Sequence, residues 1–131
     1  MIGFVMVGTN DLQASSKFYD EVLAPLGLVK VETSEAYVGY AQKNNQEEVE
    51  FYITKPFNKE KATYGNGTQI SFLADSRTSV DYFHTIALEN GGLNEGKPGP
   101  RPSSSTVYYA YIRDLDGNKI CAFSNTSYSK F

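Results

Sequence analysis

The sequence is poor in the residues on which many protein chemistries depend: it has one cysteine, one histidine and no tryptophan in 131 residues. A lone thiol, Cys121, can form no internal disulfide, so a stapled secreted scaffold is excluded and a reducing, cytoplasmic setting is expected. A lone imidazole, His84, removes every site that needs two histidines, and without it no His-based triad can be assembled. Long apolar runs are also missing, and a membrane span needs about 20 such residues. Met1-Ile2-Gly3-Phe4 has neither the basic nor the apolar region of a secretory signal. The 12 Lys and Arg are scattered among 15 Asp and Glu, for a net charge of -3. A phosphate backbone would be repelled, so neither nucleic acid nor membrane is expected as a partner.

What the sequence does have is aromatic side chains. Ten Tyr and eight Phe accompany a hydrophobic fraction of 40% and a charged fraction of 21%, enough for the core of one compact domain spanning 1–131. Tyrosine joins an apolar ring to a polar tip, which suits the wall of a partly wet cleft.

Along the chain the pattern reads strand, helix and three strands, twice. Residues 2–7 are β-prone, and Thr9, Asn10 and Asp11 offer caps to a helix with apolar positions Leu12, Phe18, Val22 and Leu23. Pro25 and Gly27 end it, and β-prone stretches follow at 27–33, 35–42 and 48–54. A polar linker over 57–67 precedes a strand at 68–74 and a helix at 76–90 with Val80, Phe83, Ala87 and Leu88 on one face. Gly91-Gly92 stops this helix, and a proline-rich loop over 97–105 interrupts the strands that follow. An internal repeat at an offset of 65 matches Val5 with Ile70, Val7 with Phe72, Phe18 with Phe83, Leu23 with Leu88, Gly27 with Gly92 and Leu28 with Leu93. Tyr37 and Tyr40 recur as Tyr108 and Tyr111 at an offset of 71, as a loop insertion of about six residues would produce. The expected fold class is α+β: two tandem βαβββ modules, about 1–56 and about 68–131.

The stretch from Phe18-Tyr19-Asp20-Glu21 through Val22-Leu23-Ala24-Pro25 to Leu26-Gly27-Leu28 resembles the first-helix signature of the glyoxalase/bleomycin-resistance/dioxygenase (vicinal oxygen chelate) superfamily. Gly99-Pro100-Arg101-Pro102, Tyr108-Tyr109-Ala110-Tyr111 and the run from Arg113-Asp114 to Lys119-Ile120 are similar to its closing hairpin. The resemblance implies a single glyoxalase-like domain whose eight strands form a cup-shaped mixed sheet, with helices outside, a ligand cleft inside, and pairing into a homodimer. Asp116-Gly117-Asn118 is a hairpin turn by its own chemistry.

Strand alternation then sorts the side chains. With Val5, Val7, Val49, Phe51, Ile70, Phe72, Ile120 and Ala122 toward the helices, the cleft receives Phe4, Met6, Glu50, Tyr52, Gln69, Ser71, Cys121 and Phe123. Arg101, Tyr109 and Tyr111 complete the candidate ligand-binding set. Metal-using relatives, as the resemblance implies, place ligands on the first and last strand of each module. Here those positions hold Phe4, Glu50 or its neighbour Phe51, Gln69 and Cys121, with at most two good donors, so neither metal nor other cofactor is expected.

His84, opposite Tyr19 in the repeat, is expected to be structural. Cys121 reads as a buried thiol, because no neighbouring cation or helix N-terminus is evident to activate it. Glu50 stays open between a solvated acidic edge, shared with Glu47 and Glu48, and a cleft carboxylate of raised pKa acting as general base. Arg101 is an exposed loop residue or a clamp for an anion. Three functions follow as expectations. The first is metal-independent binding of a small aromatic or apolar molecule, anionic where Arg101 reaches it. The second is a metal-independent lyase or isomerase on a carbonyl compound, with Glu50 as base and Arg101 or Tyr52 as electrophilic partner. The third is a protein-interaction module.

Overall fold

Side chains set the helix starts. Asp11 accepts a hydrogen bond from the Ala14 N–H at 3.0 Å and opens α1 (Leu12–Val22), while Ser76 accepts from the Ser79 N–H at 3.1 Å and opens α2 (Arg77–Glu89). In the computed structural model, which describes residues 1–125, these helices sit within two copies of one pattern. The first module holds β1 (Val5–Gly8), α1, a single 3-10 turn (Ala24–Leu26), β2 (Leu28–Thr33), β3 (Tyr37–Gln42) and β4 (Val49–Thr54). The second holds β5 (Ile70–Leu73), α2, β6 (Leu93–Pro100), β7 (Tyr108–Arg113) and β8 (Lys119–Ser124). Residues 126–131, read from sequence as the end of the second module, lie outside the described part. Among the described residues no helix is long and apolar enough to cross a membrane.

The eight strands hydrogen-bond as two four-stranded mixed sheets, ordered β1-β4-β3-β2 and β5-β8-β7-β6, each with one parallel pair. This is the α+β, twice-βαβββ architecture expected. The starts of β1 and β5, of α1 and α2, and of β2 and β6 all differ by 65. β6 runs to Pro100 through part of the stretch read as loop, since it is an edge strand, where proline need not break a ladder bond.

Each sheet has one face covered by helix, and both covered faces share a single core. Val7, Tyr19, Val38, Tyr40, Phe51 and Ile53 from the first module join Val80, Phe83, Ala87, Ala110, Ile112 and Ile120 from the second. The Phe51 and Phe72 rings meet edge to face across the modules at 5.2 Å, and losing such a ring costs about 3–5 kcal/mol. Leu88, matched with fully buried Leu23 by the repeat, is instead 40% exposed.

A polar joint ties the β7–β8 turn to the first module. Asp114, 4% exposed, accepts from the Tyr19 hydroxyl at 2.5 Å and from Asn118, whose Nδ2 also donates to the Gly8 carbonyl at 3.0 Å. The Asn10 N–H donates to Asp116 at 2.8 Å. Burial, then the neighbouring carboxylate, pushes the Tyr19 pKa well above the usual value; burial also raises Asp114, against the pull of its hydrogen-bond donors. With the covered faces turned into one core, the opposite, open face of each sheet lies on the outside.

Candidate functional site

The first open face carries Phe4 and Met6, 55% and 46% exposed. The Tyr52 ring stands edge to face with Phe4 at 5.1 Å and with Tyr37 at 5.5 Å. Gly39 makes room for it, because a Cβ there would lie 2.8 Å from Tyr52 Cε1. The Tyr52 hydroxyl donates to Glu32 at 3.1 Å, and burial together with that carboxylate raises its pKa.

The second open face is a stack of rings, Tyr109 on Tyr111 at 5.9 Å and on Phe123 at 5.7 Å. Cross-strand register sets Tyr111 beside Cys121 and Cys121 beside Ser71, and Gln69 donates to the Ser71 hydroxyl at 2.9 Å. Burial raises the Cys121 pKa, while Ser71, Tyr111, Arg101 and Lys119 pull it the other way. The net shift is upward, which disfavours a thiolate. Arg101 and Lys119 lie over the Tyr111 ring at 5.1 and 5.2 Å. The Arg101 guanidinium also donates to the Lys97 carbonyl at 2.7 Å and the Tyr109 carbonyl at 3.1 Å, so much of its donor capacity holds the loop to β7.

Alternation fails at one place, the start of β4. Tyr40 pairs with Phe51 but Ala41 pairs with Val49, which leaves Glu50 as the extra residue of a β-bulge. Val49 therefore leaves the helix-facing set and comes beside Gly39, where an added Cβ would lie 3.0 Å from Val49 Cγ1. Glu50 turns away from Tyr52. Its carboxylate accepts from Gln42 Nε2 at 2.8 Å and lines, with Leu28, Phe72, Leu73 and Asp75, a cavity of about 730 Å³ between the modules.

Register also fixes which positions are equivalent. Ser71, two residues after Gln69, pairs with Cys121; Met6, two residues after Phe4, pairs with Tyr52. The counterpart of Cys121 is thus Tyr52, and the four positions are Phe4, Tyr52, Gln69 and Cys121. A hydrocarbon ring, a phenol, an amide and a thiol do not fit a divalent metal, and the described residues contain no group of three or more His, Cys, Asp or Glu able to hold one. By the same register Tyr37 corresponds to Tyr109, both on open faces, whereas Tyr40 and Tyr108 face the helices. The match of Tyr37 and Tyr40 with Tyr108 and Tyr111 is one residue out of step, and one residue reverses every face. His84, 7% exposed, shares a hydrogen bond of 2.9 Å with Asn94 and belongs to the helix packing.

With the geometry in place, the chain compares directly with known proteins. Residues 1–122 match the family described as Glyoxalase/Bleomycin resistance protein/Dioxygenase superfamily. The chain belongs to this superfamily. A glyoxalase/bleomycin resistance protein from Albidiferax ferrireducens T118 shares 42% identity over 95% of this chain and 98% of its own, with a TM-score of 0.84. A lactoylglutathione lyase from Agrobacterium tumefaciens, 20% identical over 95% of this chain and 92% of its own, has the same fold with a TM-score of 0.66. So does a glyoxalase/bleomycin resistance protein/dioxygenase family enzyme from Burkholderia phytofirmans PsJN, 19% identical over 94% and 97%, at 0.71. No curated protein matches the sequence. Sequence reasoning missed four open-face or rim residues of this superfamily member: Glu32, Tyr37, Arg113 and Lys119. Tyr37 had left a trace as one of the repeated tyrosines, and Arg113 and Lys119 only as parts of the closing hairpin.

Proposed function

We propose that this superfamily member binds a small aromatic or apolar organic molecule on its open faces, without a metal and as a homodimer. The observation that carries the reading is the uncovered ring stack Tyr109–Tyr111–Phe123, a surface onto which a planar apolar ligand can slide. None of the larger cavities brings this stack together with Phe4 and Tyr52 in one chain. A second copy, its first open face laid over the second open face of the other, makes two equivalent clefts about one two-fold axis. A reducing cytoplasm suits the buried thiol. The lyase or isomerase reading has less support, since the Glu50 carboxylate accepts from Gln42 at the bulge, away from Tyr52, and the Tyr52 hydroxyl donates to Glu32.

A neutral probe tests the reading. 2-Naphthamide should quench tyrosine emission, which no tryptophan masks, and raise the melting temperature by mass action, about 2.7 kcal/mol of stabilisation at a hundredfold excess over Kd. Tyr111→Ala combined with Phe123→Ala should abolish both effects. Absence of quenching and of any melting shift in the parent refutes the aromatic-face reading.

A further inference from the structure

We infer that the polar pocket beside the ring stack, between the 64–69 segment and the β7–β8 hairpin, is a carboxylate site, so that the ligand is an aromatic acid. The inference rests on the proposed binding of an aromatic body to the stack. The pocket has a volume of about 410 Å³ and is lined by Tyr64, Gly65, Gly67, Gln69, Arg113 and Lys119, among others.

Its two cations are differently committed. Arg113 donates from Nε to Glu95 at 2.9 Å and from one terminal nitrogen to the Gly117 carbonyl at 3.0 Å and lies 5.6 Å from the Tyr64 ring centre, leaving its other terminal nitrogen without a hydrogen-bond partner among the described residues. The Lys119 ammonium has no ion pair among the described residues and lies 5.2 Å from the Tyr111 ring centre. That position joins the pocket to the stack, because Tyr111 is itself one of the stacked rings. Within the pocket wall, Arg113 is paired with Glu95 and Lys119 brings the one unpaired charge, while Arg101 lies over the Tyr111 ring outside that wall. A single charge matches a carboxylate better than a doubly charged phosphate ester. Main-chain donors add to it: Gly65 and Gly67 have φ of +75° and +102°, and the N–H groups of Gly65, Asn66 and Gly67 have no acceptor among the described residues. Exposed N–H groups on such turns are available to an oxyanion.

The test uses two probes with one ring system. 2-Naphthoate should bind the parent about tenfold tighter than 2-naphthamide. In Lys119→Gln this ratio should fall to about twofold or less, in Lys119→Arg it should recover, and in Lys17→Gln, on the far helix, it should stay near tenfold. A parent that binds acid and amide equally overturns the carboxylate site, as does a ratio that survives both Lys119→Gln and Arg113→Gln. If the acid binds in a Lys119-dependent manner and the amide does not bind at all, the carboxylate site stands and the aromatic reading falls. If neither probe binds, both fall. Should Lys119→Gln not fold, raised salt on the parent gives the same reading, because screening must shrink the acid-to-amide ratio.

Discussion

At the scale of single residues, the pair Tyr19 and Asp114 is the most consequential polar contact in the core. Tyr19→Phe removes a donor from a buried carboxylate and should cost about 1–3 kcal/mol in urea unfolding. The Asp114 pKa lies above the ordinary carboxylate value, so the folded state holds the proton more tightly than the unfolded chain. Stability from this group therefore rises as pH falls through the folded pKa toward the ordinary value of about 3.9. The urea midpoint of the parent relative to that of Asp114→Asn should therefore rise as the medium is acidified. A parent that loses ground to Asp114→Asn on acidification would show that the folded carboxyl is not raised. Sequence concealed this contact. Asp114 reads as part of a hairpin turn, and Tyr19 reads as one more helix aromatic whose counterpart, His84, bonds Asn94 instead.

At the scale of elements, most of the architecture was legible. Caps, helix-stopping glycines and the offset of 65 locate both modules, because each is a local signal repeated. The two glycines matched by that offset nevertheless do different work. Gly27 has φ +81° with nothing within 4 Å of an added Cβ, whereas at Gly92 that atom would lie 2.9 Å from the Ala87 carbonyl and 3.0 Å from that of Arg113. The left-handed residue after α2 is Gly91, with φ +97°. Gly27→Asn should therefore be milder than Gly27→Ala, since asparagine enters the left-handed region more readily. Gly92→Asn should be at least as damaging as Gly92→Ala, which itself costs about 1–3 kcal/mol by overpacking. Urea midpoints of the four variants decide this, and a rescue of Gly92 by asparagine would contradict the crowding argument. What sequence did not reveal is the bulge at Glu50. A bulge is defined by which residue faces which across two strands, and no local pattern in Val49-Glu50-Phe51 records it. The aromatic and amide positions of the site were legible by alternation, and the acidic one was not.

At the scale of the whole molecule, exposed Phe4 and Met6 on one sheet and Leu73, 62% exposed, on the other leave apolar surface that association would bury. Sedimentation at micromolar concentration should show a dimer. Met6→Glu should shift it to monomer with an unchanged circular dichroism spectrum, because the side chain contributes nothing to the shared core. A parent that sediments only as monomer removes the second copy from the cleft, and the ligand must then be held by one open face alone.

The joint around Asp114 bears on the ancestry that the internal repeat records. A protein made of two identical halves would have two identical joints. Here the Tyr19–Asp114 contact closes one, while the 730 Å³ cavity lined by Lys43, Asn44, Glu50 and Asp75 opens near the other turn. Two copies of the first half would carry Tyr19 with no Asp114 to accept its hydrogen bond; two copies of the second would carry Asp114 opposite His84. The two halves therefore meet the same need with different partners, Tyr19 bonding Asp114 across the modules and His84 bonding Asn94 within its own.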